Sequence, residues 1–297
     1  VWWCTIILME LLPLWYQYAI VFTFGLLIGS FLNVVMYRFH TGKSLSGNSH
    51  CLSCGTRLRW FELIPLFSYV CLWGRCRSCG CSIPARYFLL EFATAGMFTL
   101  IYAQLGLTVL SAAVLLLGVI LAMITVYDLY HMVIPNELVL ATGVVAVVFF
   151  FLQTQKDFSG EVLLYHALAG FGAFCFYGGL WLVSKGRWIG FGDAKLALPL
   201  GFILGPMGSF SFVVLSFWIG AAISIMILIL PRLMGYLRFV VVSIKSMSAT
   251  SGAHSHLTTK TSFTIKSEVP FAPFMVAAFA LVFLYGIQVL EVMMHIV

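Results

Sequence analysis

Gly190-Phe191-Gly192-Asp193-Ala194-Lys195 stands at the mouth of a run with no further charge until Arg232. It sets two glycines, a carboxylate and a lysine against apolar sequence. A carboxylate beside hydrocarbon is costly and calls for a reason. Whether the run behind it crosses a membrane decides the fold, and the composition answers. Of the 297 residues, 62% are hydrophobic and 9% charged, whereas soluble domains carry about 25% charged residues. The chain reads as an all-α polytopic membrane protein. With about 20 apolar residues needed per crossing, there is room for about eight spans. They are expected at 15–37, 84–104, 107–127, 133–152, 162–184, 194–206, 209–230 and 271–293. The sixth is short. Gly201, Gly205 and Pro206 predict that it is tilted, or that it turns straight into the seventh through Gly205-Pro206-Met207-Gly208. Residues 1–17 contain no Lys or Arg, so a cleavable signal, whose first region is basic, is not expected there.

The basic residues set the orientation. Every Lys and Arg except Lys156 falls in 38–86, 185–195 or 232–266, and the eight-span pattern puts these loops on one side. Positive loops stay inside, so that side is cytoplasmic and both termini face out. The net charge of +6 therefore has a topological use, and no nucleic-acid partner is expected. Asp128 closes the third span on the cytoplasmic side and Asp193 opens the sixth on the same side, so the two carboxylates are expected at equal depth. In this reading 1–37 holds the first transmembrane helix and 38–83 a cytoplasmic zinc-binding loop. Residues 84–297 form the membrane core, with a polar cytoplasmic insertion at 231–270.

The first loop carries Cys51-Leu-Ser-Cys54-Gly55 and Cys76-Arg-Ser-Cys79-Gly80. Paired C-x-x-C units supply the four thiolates of a tetrahedral, closed and hence structural zinc site. Disulfides are the alternative, and the reducing cytoplasm argues against them. Cys71 and Cys81 fall outside the pattern, and Cys4 and Cys175 read as membrane-embedded residues. Between the knuckles, Trp60 to Tyr69 is too apolar for a solvated linker. A platform on the membrane surface and a small zinc-stapled core are equally good readings.

Most acidic residues have plain places. Glu10, Asp157, Glu161 and Glu291 lie near the outer side, Glu268 in a polar loop, Glu62 in the cysteine loop and Glu137 early in the fourth span. Asp128 and Asp193 remain as a pair. Two close carboxylates share a proton, the arrangement that activates water against a peptide carbonyl. Asp128 at a helix C-terminus is expected to be the neutral partner, and Asp193 at a helix N-terminus the ionised one. Gly190 and Gly192 suit close backbone approach or positive φ beside Asp193. Glu91, in the second span, is a candidate for the substrate groove. Gly25, Gly29, Ser30 and Asn33 read as a tight helix-packing face, and His166 as a packed residue. The Ser/Thr-rich 249–267 stretch, with His254 and His256, reads as a linker. The preceding Arg238–Lys245 segment reads as a lipid-surface contact.

Taken together, these residues resemble the type IV prepilin peptidases, the leader peptidase/N-methyltransferases of pilus and type II secretion systems. Gly29-Ser30-Phe31-Leu32-Asn33-Val34-Val35-Met36-Tyr37-Arg38 is similar to the family's first signature. The cysteine loop resembles the family's through Gly74 to Gly80, Ile83-Pro84, Arg86-Tyr87 and Glu91. Asp128 with Ile134-Pro135-Asn136 resembles the first catalytic region and Gly190 to Lys195 the second, which brings Lys195 into the active-site loop. Pro270-Phe271-Ala272-Pro273-Phe274 resembles the opening of the last span. The resemblance implies catalytic Asp128 and Asp193, and structural zinc on Cys51, Cys54, Cys76 and Cys79. It implies a bacterial inner-membrane enzyme with its active site facing the cytoplasm. The enzyme would cut the basic leader of prepilins or pseudopilins after a glycine, then methylate the new N-terminal amine with S-adenosylmethionine. Methylation rests on the resemblance alone, because the chain has no G-x-G-x-x-G fingerprint. Two features depart from the family: a longer 231–270 loop, and a first knuckle without a proline between its cysteines.

Two other classes compete. A transporter could use paired aspartates to relay protons, but these lie at span ends and not near the midplane. A presenilin-like protease shares Tyr127-Asp128 and Gly190-x-Gly192-Asp193, but would carry Pro-Ala-Leu near its active site and no zinc loop.

Overall fold

The computed structural model describes residues 12–38, 47, 49–155, 158–246 and 270–289. Its helices are α1 (Leu14–Arg38), α2 (Phe67–Cys71), α3 (Arg86–Leu105), α4 (Val109–His131), α5 (Asn136–Gln153), α6 (Gly160–Ser184), α7 (Phe191–Ser246) and α8 (Ala272–Tyr285), with a 3₁₀ turn at Trp60–Leu63. The described residues contain no strand, only isolated bridges His50–Arg57 and Arg75–Ser82. Among the described residues six helices are long and apolar enough to cross a membrane, and α8 is a shorter apolar helix. Their outward faces carry Trp15, Phe24, Phe31, Phe171, Trp218 and Ile225, as a lipid-facing surface requires.

Helix ends follow local chemistry. Thr108 and Ser111 cap α4 reciprocally, each side-chain oxygen accepting the other's backbone N–H. Met132, in the left-handed region at φ 52°, ends α4. Pro135 then starts α5 where no N–H is needed.

The expected sixth and seventh spans are the two limbs of α7. Gly205 breaks the helix at φ 68°, ψ −175°, a conformation essentially open only to glycine. Ser209 Oγ donates to the Gly201 carbonyl across the break at 2.9 Å. At 1.5 Å rise per residue a continuous helix would hold these residues about 12 Å apart, so the chain reverses. Both limbs consequently pack on α6, the first through Phe191 against Phe174 and the second through Phe217 against Phe176. Counting each limb and α8, the described residues hold the eight apolar segments expected. One boundary differs, because α7 stays helical to Ser246, well past the expected end at 230. The linker at 249–267 with its histidines lies outside the described residues, as do Cys4, Glu10, Lys156, Asp157, Glu268 and Glu291.

The core forms where α4, α5, α6, α7 and α8 converge, around Leu117, Ile124, Leu200, Phe212 and Met275. At its centre Tyr177, fully buried, shares a 2.6 Å hydrogen bond with Ser216. Beside this unit, α1 packs on α3 through the small-residue face. A Cβ at Gly25 would lie 2.7 Å from Ala95 Cα, and one at Gly29 2.8 Å from Glu91 Cα. These glycines serve backbone contact, as their four-residue spacing predicts.

Candidate active site

Asp128 lies in the last turn of α4 and Asp193 in the first turn of α7, 5% and 6% exposed. The fold brings them close enough for the charge of Asp128 to act on Asp193. Asp128 Oδ2 accepts the backbone N–H of Ala272 at 3.1 Å. Asp193 Oδ2 accepts that of Gly190, also at 3.1 Å. Asp193 Oδ1 is buried and accepts no hydrogen bond among the described residues. These contacts set Asp128 against a helix N-terminus as well as a helix C-terminus, so helix direction alone does not separate the two carboxylates. Ala272 is the first residue of α8, so Asp128 ends one helix while capping the N-terminus of another. The Pro270–Phe274 motif thus enters the site through its backbone.

The neighbouring residues hold this geometry. Neither Gly190 nor Gly192 has positive φ, so they serve close approach. A Cβ on Gly192 would meet Ile134 Cβ at 3.0 Å, and one on Gly190 would meet Asp193 Oδ2 at 3.3 Å. Lys195 Nζ donates to Asn136 Oδ1 at 2.9 Å and lies 5.0 Å over the Phe191 ring. The start of α7 is therefore clamped to the α4–α5 turn, two residues along the chain from Asp193.

The cysteine loop folds as two copies of one turn. Gly55 N donates to the Cys51 carbonyl and Cys51 N to that of Thr56; Gly80, Cys76 and Cys81 repeat the pattern. Gly55 and Gly80 both sit at φ 71°, where a side chain would be strained. The sulfurs of Cys51, Cys54, Cys76 and Cys79 all lie within 4.8 Å of one another. Ligands about 2.3 Å from a tetrahedral zinc require such spacing, so the four residues fit the metal. Thr56 Oγ1, 3.3 Å from Cys54 Sγ, lowers that thiol's pKa to about 6, towards the thiolate that zinc binds. Cys81, which the spacing set aside, is the counterpart of Thr56 in the second turn. It lies 3.2 Å from Cys79 Sγ and 3.6 Å from Cys51 Sγ.

A model of the bacterial peptidase A24 N-terminal domain matches residues 23–105, and one of the type IV leader peptidase family matches residues 113–225. The prepilin leader peptidase/N-methyltransferase of Aeromonas salmonicida (strain A449) is 30% identical over 243 residues, 73% of this chain and 83% of the relative. The chain belongs to the type IV leader peptidase family. Relatives of the same name include that of Myxococcus xanthus (strain DK1622), 32% identical over 211 residues, which are 70% of this chain and 62% of the relative. That of Pseudomonas aeruginosa is 33% identical over 211 residues, covering 60% and 69% respectively. No solved structure matches.

Glu91, expected in the substrate groove, is placed under the cysteine loop. It is 8% exposed, with Oε2 accepting the Leu66 N–H at 2.9 Å. Leu66 is itself in a strained conformation at φ 57°, so Glu91 anchors the loop on α3. Two contacts had no signal in the sequence, the Ala272 N–H on Asp128 and the guanidinium of Arg86 between the rings of Tyr87 and Tyr130.

Proposed function

We propose that the chain is an aspartyl endopeptidase that removes the leader of prepilins or pseudopilins at the cytoplasmic face of the inner membrane. It then methylates the new N-terminal amine with S-adenosylmethionine. The observation that carries the peptidase is the buried pair. Two buried carboxylates from different helices lie within electrostatic reach, each accepts one backbone N–H, and Asp193 Oδ1 has no donor among the described residues. Asp128 and Asp193 hold water against the scissile carbonyl. A bare anionic oxygen is costly to bury, so the shared proton belongs on Asp193 Oδ1, and Asp128 is the base. Asp128 takes a proton from water as its oxygen attacks, and Asp193 gives its proton to the carbonyl oxygen. Proton return to the leaving amine breaks the C–N bond. Lys195 and Asn136 are positioning residues. The bilayer and the membrane-embedded substrate are the partners.

The basic loops support the cytoplasmic placement, and with it the division into first helix, zinc loop and core. The four cysteines would hold zinc, which supplies a structural cross-link and no reacting position. The relatives' names support methylation. The test is cleavage of a prepilin in membranes by Asp128→Asn and Asp193→Asn. Both should lose at least about a hundredfold in rate; cleavage at the parental rate by both would refute the protease.

A further inference from the structure

Between α1, α3 and the cysteine loop lies a cavity of about 350 Å³, within the ~300–1,000 Å³ range of small-molecule sites. Its lining includes Ser30, Asn33, Tyr69, Tyr87, Phe88 and Glu91. Arg38, Arg77 and Glu62 also line the cavity but none of them is buried; Glu91 is its buried charge, and the groups that act on it are neutral donors, the Leu66 N–H and the Ser30 hydroxyl. A buried carboxylate without a counter-charge is costly. Beside aromatic rings, whose faces attract cations, it makes a receptor for a positively charged ligand.

We propose that this cavity binds the methyl donor, with Glu91 opposing the sulfonium of S-adenosylmethionine and the aromatic rings taking its apolar surface. The inference rests on the methyltransferase half of the proposed function and gives it a location. The terminal amine of the cleaved protein first loses one proton to water. Its lone pair then attacks the methyl carbon, the C–N bond forms as the C–S bond breaks, and sulfur leaves as a neutral thioether. The positive charge passes to the methylated amine, so Glu91 loses its partner and spent donor is released.

That change of charge supplies a binding test independent of turnover. Equilibrium dialysis of the purified full chain should show S-adenosylmethionine bound at least about tenfold more tightly than S-adenosylhomocysteine. Glu91→Gln keeps an acceptor for the Leu66 N–H and removes the charge. With zinc content retained, it should bind the two ligands nearly equally. A parental preference in Glu91→Gln would overturn the placement alone, leaving the methyltransferase reading intact. Failure of the parent to bind either ligand would overturn both. Should Glu91→Gln lose its zinc, Phe88→Leu decides: weaker binding of both ligands supports the cavity, and unchanged binding overturns it.

Discussion

The two catalytic candidates have the same residue type, nearly the same burial and one backbone N–H each on Oδ2, and the second oxygen separates them. Asp193 buries Oδ1 with no donor among the described residues. Asparagine mimics a neutral aspartic acid, so Asp193→Asn should retain more cleavage than Asp128→Asn, by about tenfold. Initial rates on a prepilin in membranes measure this, and the opposite order would return the proton to Asp128. The candidate pair was legible because ten acidic residues in so apolar a chain can be weighed singly. Its proton was not legible, since helix direction along the sequence says nothing of a second helix capped from outside. Lys195 and Asn136 lie 59 positions apart, yet share one hydrogen bond. Lys195→Met and Asn136→Ala should each lower kcat without raising KM. The double variant should be no worse than the more damaging single one, as residues of one clamp are not additive. Additive losses would show that they act separately.

At the level of elements, the cysteine turns and the break in α7 show what local sequence can encode. Each C-x-x-C-G fixes its own backbone path, so the repeat was readable from spacing. Cys81 was set aside because it falls outside C-x-x-C-G, and the hydrogen bonds give it the place in the second turn that Thr56 has in the first. The turn at Gly205 was legible from Gly-Pro-Met-Gly, whereas helix beyond 230 was not, because Pro231 and the basic residues after it read as loop. The cysteine loop covers the cavity next to Glu91, while the aspartates stand on α4 and α7. Cys51→Ser or Cys76→Ser should therefore remove zinc and cut methylation by at least about tenfold, as loss of a structural site does. Cleavage should fall less. Metal analysis and mass spectrometry of the product separate the effects, and equal loss of both activities would tie the loop to hydrolysis.

Across the whole molecule, the α1–α3 pair with its loop and the α4–α8 unit meet where α3 packs on α4, Met97 against Gly118, and again at Arg86. Its guanidinium lies 5.1 Å from the Tyr87 ring, which lines the cavity, and 4.8 Å from the Tyr130 ring, two residues beyond Asp128. In the proposed function cleavage and methylation act in turn on the same substrate end, so the spacing of the two sites would matter to the second step more than to the first. A stacked guanidinium contributes about 0.5–2 kcal/mol, enough to fix one arrangement of two units without being needed to fold either. Arg86→Leu should therefore leave the cleavage rate within about threefold of the parent, while cleaved, unmethylated product accumulates. Arg86→Lys should fall between, since an ammonium cannot stack on both rings as a planar guanidinium does. A time course of leader removal and N-methylation on one substrate reads both steps. A parental ratio of methylated to cleaved product in Arg86→Leu would show that the contact does not couple the sites.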